Sequence, residues 1–377
     1  MGVAVSTIEV HGSRRWRDFD WQLTLYLLLL IGFGIVLGIS AAWNEAGSAG
    51  GIPQPVKTVI WTLLGFSLMT VAASVDYHWL RTFAIPIYLF TLGLLVVNLV
   101  AGTAISGAQL SVTIAGLDFQ FSEISKVLMV VVLAAFLAGR GQRIGRLSTI
   151  LGAGLLVALP TALVLRQPDL GTALVFVAIL GGMLFISGAS IGWMALLLGV
   201  AVVMTPLALG RLADYQTARL LCFLDPAADP QGACYQLVQA LNAVGSGGWL
   251  GQGLTAGDAN QLGFLPVQTT DFIFTIVAEE LGLAGSLILL ALFGLLLWRI
   301  TIIGWRAKDG LGRLVAMGLA TMLLFQVVVN IGMVIGLLPV TGIPLPLITY
   351  GGSSTVSLLF GMGLVQSVRM RTRTETF

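Results

Sequence analysis

Apolar residues run in long blocks along almost the whole chain, and polar residues gather in the segments between them. Ten blocks predict helices, most of them long enough to cross the roughly 30 Å of hydrocarbon in a bilayer. They lie at about 21–43, 57–75, 84–101, 124–139, 147–165, 171–188, 192–209, 271–298, 314–338 and 354–368. The pattern predicts an all-α, polytopic membrane protein whose 377 residues form a single transmembrane domain.

The composition supports this class and excludes others. Mean hydropathy is +0.97, and 57% of the residues are hydrophobic while only 10% are charged, unlike a soluble domain. A net charge of +2 without a basic run gives no indication of nucleic-acid binding. Two histidines and two cysteines do not provide a Cys/His metal cluster. The first block is too long for the core of a signal peptide and is predicted to be a retained span.

Basic residues set the predicted orientation, because Lys and Arg concentrate in cytoplasmic loops. With the N-terminus inside, the outer segments hold only five of the 19 basic residues, namely Lys57, Lys126, Arg166, Arg211 and Arg219. Both termini are therefore predicted to be cytoplasmic. The longest loops then lie outside the cell, and a membrane protein with its long loops on one face is expected to work at that face.

The segment 210–270 is predicted to be an extracytoplasmic loop subdomain between the seventh and eighth helices. Its apolar stretches, Leu220 to Leu224 and Tyr235 to Val244, predict short amphipathic or re-entrant helices on the outer surface. Cys222 and Cys234 face an oxidising compartment in this arrangement, and the sequence leaves open whether they pair.

Asp271 stands where this loop meets the membrane and begins a long apolar run. One interpretation is a helix cap, in which the side chain accepts backbone N–H bonds. The other is a general base, since a partly desolvated carboxylate within reach of a membrane-bound substrate has a raised proton affinity. Position favours the second interpretation, and the residue type alone favours the first.

Other charged residues are predicted near the same membrane depth. Glu279 and Glu280 lie about 12–13 Å further along the same helix at ~1.5 Å per residue, and intramembrane acids are functional or paired. For these two, pairing with a cation of another helix is favoured over direct chemistry. Further partners are Glu123 and Lys126 at i, i+3 in "FSEISK", and Arg166 and Asp169 in "RQPDLGT". The set predicts either a charge network or a diphosphate site.

Two segments rich in glycine or proline carry separate predictions. "GSGGWLGQG" (Gly245 to Gly253) lacks the Lys-Ser/Thr of a phosphate-binding P-loop and is interpreted as a closely packed turn. "GLLPVTGIPLPLITYGGSS" (Gly336 to Ser354) is predicted to be a rigid loop folded back into the bundle, because irregular backbone at membrane depth must be buried by protein or line a cavity.

Several of these motifs together resemble the SEDS family (shape, elongation, division and sporulation) of peptidoglycan glycosyltransferases, over nearly the whole chain and most closely its elongation branch. The matching segments, in the family's order, are "QPDLGTALVF", "YQTARLLCFLDPAADPQG", "VGSGGWLGQG", "FLPVQTTDFIFTIVAEELG" and "LLPVTGIPLPLITYGGSS". Three positions depart from the family pattern: "GAQLSV" (Gly107 to Val112) replaces a frequent Arg-Trp motif, Phe121 replaces a proline, and Ala240 replaces a frequent serine.

The resemblance implies ten helices, a lipid II substrate, a class B penicillin-binding protein as partner and a location in the bacterial cytoplasmic membrane. Asp271 is the expected base on the acceptor hydroxyl, and basic residues are expected to hold the diphosphate. No resident metal is assigned, and the residues leave open whether a divalent cation takes part. The expected substrate-binding residues are Glu123, Lys126, Arg166, Asp169, Arg219, Thr270 and Glu280.

Two rival functions come from other classes. A flippase or transporter of the lipid-linked precursor also suits ten helices with intramembrane charges, but it predicts charges and helix breaks near the midplane. A scaffolding membrane protein would leave Asp271 and Lys126 without a role. The crowding of charges toward the outer face favours the enzyme.

Overall fold

The computed structural model describes residues 16–41, 54–105, 108–114, 117–209, 214–257, 271–349 and 351–372. Within these ranges the chain forms thirteen α-helices and three short strands. The helices are α1 Trp21–Ala41, α2 Gln54–Ser74, α3 Trp79–Thr82, α4 Ala84–Ala101, α5 Phe121–Ala138, α6 Leu147–Arg166, α7 Leu170–Ser187, α8 Ile191–Leu209, α9 Asp214–Leu224, α10 Tyr235–Ser246, α11 Ile273–Trp305, α12 Gly310–Val334 and α13 Gly352–Met370.

The prediction of a helical, multi-pass membrane protein is confirmed. Every one of the ten predicted spans coincides with a helix. In the part of the chain that the structure describes, seven helices are long and apolar enough to cross a membrane, and two shorter apolar helices lie at Ala84–Val100 and Ile191–Val200. The number of crossings and the side on which each terminus lies stay predictions.

Three short strands lie in a connection where no secondary structure was predicted. β1 (Thr103–Ile105), β2 (Ala108–Ile114) and β3 (Leu117–Phe119) form an antiparallel sheet in sequence order. Val112 pairs with Phe119, and the aromatic ring of Phe119 packs edge-on against Trp61 of α2. The sheet therefore leads directly from α4 to the start of α5.

Helix α5 runs through the centre of the bundle. Nearly all of its side chains are buried, including two charged ones. Outer helices instead expose large apolar side chains, such as Leu63, Leu155 and Leu198, each more than 60% exposed. Such an apolar exterior fits a bundle surrounded by lipid.

At the end of the bundle that holds the start of α1, an ion pair joins three helices. The Asp20 carboxylate lies 2.7 Å from Arg299 Nη2, on α11, and 3.6 Å from Arg369 Nε, on α13. The Asp20 backbone also exchanges two hydrogen bonds of 2.9 Å with the Gln366 side chain. Because Asp20 is buried, breaking this network would leave an uncompensated charge, so it fixes the relative position of the three helices.

Helix α11 is interrupted at Gly282, where φ is 64° and ψ is −160°. In a regular helix, the N–H groups of Leu283 and Ala284 would donate to the carbonyls of Glu279 and Glu280. Here they donate to Gly248 and Trp249, at 2.9 and 3.1 Å, and the two freed carbonyls accept from Gln252 and Gly253, at 2.9 and 3.0 Å. The glycine-rich turn thus replaces two helical hydrogen bonds with four bonds to the loop.

This arrangement explains the glycines of "GSGGWLGQG". A β-carbon on Gly247 would collide with the carbonyl of Ala278, and one on Gly251 would collide with the carbonyl of Glu280. Only glycine allows two backbones to approach so closely. The predicted role of this segment as a closely packed turn is confirmed.

The described part of the 210–270 loop contains the two short helices expected from its apolar stretches, α9 and α10. A disulfide bond joins Cys222, on α9, to Cys234, which immediately precedes α10. The sequence left this pairing open, and the structure provides it. The bridge closes the "DPAADPQG" turn. The Leu241 side chain of α10 also packs near Gly336, just after the end of α12.

Candidate functional site

Glu123 and Lys126 form a buried ion pair on the first turns of α5. Lys126 Nζ donates to Glu123 Oε1 at 2.6 Å, and the residues are 1% and 4% exposed. The i, i+3 spacing predicted from the sequence brings them together on one helix face. Two charges so completely removed from water are costly unless they are paired, which makes this a built feature of the site.

Asp169 lies next to this pair, at the N-cap of α7. Its carboxylate accepts a hydrogen bond of 2.9 Å from the Thr172 N–H. Burial raises the pKa of Asp169 above its ordinary value, while the hydrogen bond from Thr172 and the Lys126 ammonium act in the opposite direction without outweighing burial. The charge of Glu123 adds to the rise in the pKa. Glu123, Lys126 and Asp169 therefore form one electrostatic cluster.

The turn that carries Asp169 is anchored by a buried amide. Gln167 Nε2 donates to the carbonyl of Leu95 at 2.8 Å, and Asn98 Nδ2 donates to Gln167 Oε1 at 2.7 Å. Both amide side chains are fully buried. The pair ties the α6–α7 turn to α4 and fixes the height at which Asp169 stands.

Of the segment Gly336 to Ser354 that was predicted to fold back into the bundle, residues 336–349 do so, and Gly352 already begins α13. Ile343, Leu345 and Ile348 are at most 2% exposed. A β-carbon on Gly171 would stand 2.8 Å from the Thr341 carbonyl and 2.9 Å from Ile343. The start of α7 is thus in direct contact with this segment, at Thr341 and Ile343, the two neighbours of Gly342.

Asp271 and Arg219 meet at Gly342. A β-carbon on Gly342 would lie 3.4 Å from Asp271 Oδ2 and 3.7 Å from Arg219 Nη1. Gly342 has a positive φ of 74°, which favours glycine, and it leaves room for both charged groups. Arg219 reaches this point from α9 in the outer loop. A second link joins α9 to the α6–α7 turn, where Gln216 Nε2 donates to the Pro168 carbonyl at 3.5 Å.

Asp271 lies at the start of α11, and whether it caps that helix or acts as a base stays a prediction. The N-cap residue of α11 is Phe272, which makes no side-chain cap hydrogen bond. Asp271 precedes the cap and is half-buried. Its carbonyl accepts a hydrogen bond of 2.8 Å from Asn330 Nδ2, on α12. The hydrogen bond from Asn330 therefore holds the backbone of Asp271. The carboxylate of the same residue lies near Arg219 of α9.

Glu280 lies deeper, at the break in α11, and is fully buried. The Ser40 hydroxyl lies 2.8 Å from Glu280 Oε1 and 2.6 Å from Oε2, and Ser40 Oγ accepts from the Thr255 N–H at 3.0 Å. Through Ser40, Glu280 thus connects α11 to α1 and to the loop residue Thr255. The expected pairing of Glu280 with a cation stays a prediction.

Two other expected site residues have different outcomes. Arg166 is exposed at the end of α6, and among the described residues it makes no ion pair with the buried cluster. Thr270 lies outside the described residues.

Asn330 was missed, although an asparagine inside the apolar run 314–338 was a visible signal. Among the described residues, no three His, Cys, Asp or Glu side chains form a group that would hold a metal.

The geometry defines a class of protein: a multi-pass helical membrane protein with a buried charged site at one end of its bundle. The family model for the cell cycle proteins FtsW, RodA and SpoVE matches residues 20–374. The chain belongs to this family, and the resemblance seen in the sequence is confirmed.

Known relatives span the whole chain. It is 40% identical over 359 residues to the peptidoglycan glycosyltransferase MrdB of Escherichia coli K12, covering 94% of both chains. It is 35% identical over 360 residues to a probable peptidoglycan glycosyltransferase FtsW of Geobacter metallireducens, covering 94% of this chain and 95% of the relative.

Solved structures share the fold. The rod shape determining protein RodA of Thermus thermophilus has a TM-score of 0.71 and 30% identity, covering 96% of this chain and 99% of that one. A chain of a peptidoglycan synthase complex, studied for the structural coordination of polymerization and crosslinking, has a TM-score of 0.78 and 33% identity, covering 94% and 98%.

Proposed function

We propose that this protein is a peptidoglycan glycosyltransferase that polymerises lipid II at the outer face of the bacterial cytoplasmic membrane during cell elongation. The observation that carries the proposal is the meeting of Asp271 and Arg219 at Gly342, near the buried Lys126–Glu123 pair and the partly buried Asp169. The names of the relatives support the same activity.

The proposed reaction needs a base and a cationic site, and the chain supplies both. The Asp271 carboxylate takes the proton of the acceptor hydroxyl as its oxygen attacks the anomeric carbon of the donor. The bond from that carbon to the diphosphate breaks, and the polyprenyl diphosphate leaves with the electron pair. Lys126 and Arg219 are the groups proposed to stabilise the developing negative charge. A single displacement inverts the anomeric centre, so an α-linked donor gives a β-linked glycan.

Burial gives these charges their strength. Lys126 is 1% exposed, so its electrostatic attraction is screened far less than that of a surface lysine. Arg219 is brought to Asp271 by the outer loop, whose α9 and α10 are held by the Cys222–Cys234 bridge. The loop is thus proposed to complete the site from the outside.

A class B penicillin-binding protein is the proposed partner that crosslinks the new strand. The likeness to a chain of a peptidoglycan synthase complex supports an assembly of this kind. A flippase of the same precursor is less well supported, because Glu123, Asp169 and Asp271 all lie at the ends of their helices rather than near the middle.

Polymerisation of purified lipid II by the purified protein, with and without a penicillin-binding partner, tests the proposal. We expect glycan strands from the wild type and a rate lower by about 10²–10⁴ for Asp271→Asn, with lipid II binding retained. Asp309→Asn is the matched control, because Asp309 caps the start of α12, far from the proposed site. It lies about 30 Å along the helix, at ~1.5 Å per residue, from Asn330, which binds the Asp271 carbonyl. Movement of lipid II across vesicles without glycan synthesis would favour the flippase.

A further inference from the structure

Asn330 is a buried polar residue in an otherwise apolar stretch of α12. It is fully buried, and its single amide nitrogen donates two hydrogen bonds. One goes to the Asp271 carbonyl at 2.8 Å, and the other goes to the Ile343 carbonyl at 2.7 Å. Its oxygen Oδ1 is buried without a hydrogen-bond partner among the described residues.

The two acceptors belong to irregular backbone. Asp271 precedes the N-cap of α11, and Ile343 lies in the folded-back segment after α12. In an apolar surrounding, carbonyls outside regular helices need a donor from the protein. A primary amide has two N–H groups on one atom and can satisfy both carbonyls at once, whereas a hydroxyl can satisfy only one. The Asn330 amide therefore satisfies both carbonyls of this junction.

One of the two carbonyls belongs to Asp271 itself, and the other belongs to the neighbour of Gly342. Ile343 directly follows Gly342, the residue beside which Asp271 Oδ2 and Arg219 Nη1 are found. Holding the backbone of Asp271 and that of Ile343 to one nitrogen fixes the carboxylate relative to the Gly342 turn. A shift of either segment would change the position of Asp271 relative to the guanidinium that approaches from α9.

We propose that Asn330 is a positioning residue for Asp271 in glycan polymerisation, an inference that rests on the proposed function. Asn330 acts through the two backbone segments and does not touch the substrate. Its loss should lower the rate of the chemical step and leave substrate binding intact, because the charged groups that hold lipid II remain. Misplacement of a reacting group by about 1 Å can cost 10²-fold in rate.

Steady-state polymerisation across a range of lipid II concentrations tests this proposal. For Asn330→Leu, which keeps the number and branching of the side-chain heavy atoms and removes both donors, we expect kcat to fall about 10²-fold with KM within about twofold of wild type. Asn330→Ser keeps one donor, and its kcat should lie between those of the wild type and Asn330→Leu. Hydrogen exchange measured on the same samples should rise in peptides covering Asp271 to Thr275 and Ile343 to Thr349 for Asn330→Leu.

Gln326→Leu is the matched control, because Gln326 is buried one turn earlier on the same helix and, among the described residues, donates to neither segment. It should leave kcat and both exchange patterns unchanged. Folded Asn330→Leu with wild-type kcat, or with a loss confined to KM, overturns the inference. Where Asn330→Leu does not fold, an unchanged kcat in Asn330→Ser overturns it. An inactive wild type overturns the proposed function itself.

Discussion

The carboxylate of Asp271 lies against Gly342, 3.4 Å from the position that a β-carbon on Gly342 would occupy. This glycine combines a left-handed backbone, with φ of 74°, with contact to the proposed base. Its substitution therefore tests both the strain of the turn and the space beside the carboxylate.

Gly342→Ala should lower both stability and glycan synthesis. The left-handed conformation costs a residue with a β-carbon about 1–2 kcal/mol, and relaxation of the turn would displace Asp271. Thermal unfolding in detergent and polymerisation of lipid II measure the two effects. Gly181→Ala, in an open position on α7, is the control and should not lower stability, because alanine favours a helix over glycine. Wild-type stability and synthesis in Gly342→Ala would contradict this prediction.

The Glu123–Lys126 pair predicts a separation of folding from activity. Lys126→Met leaves the Glu123 charge buried without its partner at 2.6 Å, which should cost about 3–5 kcal/mol of stability. The double variant Glu123→Gln with Lys126→Met removes both charges and should recover most of that stability. It should still fail to synthesise glycan, because the cation proposed to hold the diphosphate is absent. Full synthesis by the double variant would limit the pair to a structural role.

Ser40 and Glu280 predict a structural effect away from the base. Ser40→Ala removes a hydrogen bond to a buried carboxylate and should reduce the free energy of unfolding by about 1.5–3 kcal/mol. Glu280→Gln retains an oxygen that accepts from Ser40, so it should be milder and should keep most of the synthesis rate. Ser187→Ala, which removes only a bond within α7, is the comparison. Loss of synthesis in stable Glu280→Gln would show that Glu280 takes part in the reaction.

The disulfide bond predicts both a chemical and a thermal result. Cys222 and Cys234 should react with an alkylating reagent only after reduction, as seen in the intact mass. The variant with both cysteines changed to serine should lose about 3 kcal/mol of stability, as expected for closure of a short loop. Alkylation of the unreduced protein would show that the pair is open in solution.

Orientation is tested by reporters. A reporter fused after Phe377 should lie in the cytoplasm, and one inserted near Ala256 should lie on the extracytoplasmic side, because basic residues favour the cytoplasmic side. Both reporters on the same side would contradict the three crossings predicted between the outer loop and the C-terminus, because an odd number of crossings puts its two ends on opposite sides.

Much of the fold was readable from the sequence, for a physical reason. The cost of placing polar groups in hydrocarbon depends on each residue and its neighbours in the chain, so apolar blocks marked ten of the thirteen described helices. The same reasoning marked the folded-back segment 335–349, and the i, i+3 rule paired Glu123 with Lys126. Asp271 was predicted to be the base from its position at the membrane boundary and from the family resemblance, and that role stays a prediction.

Contacts between distant parts of the chain were decided only by the tertiary structure. Sequence allowed either Arg166 or Arg219 as the second cation, and packing brought Arg219 to Gly342 while leaving Arg166 exposed. The exchange of hydrogen bonds at Gly282 and the two bonds of Asn330 likewise join segments far apart in sequence. Hydropathy and spacing describe what each segment prefers locally, whereas such contacts depend on how the helices pack against one another.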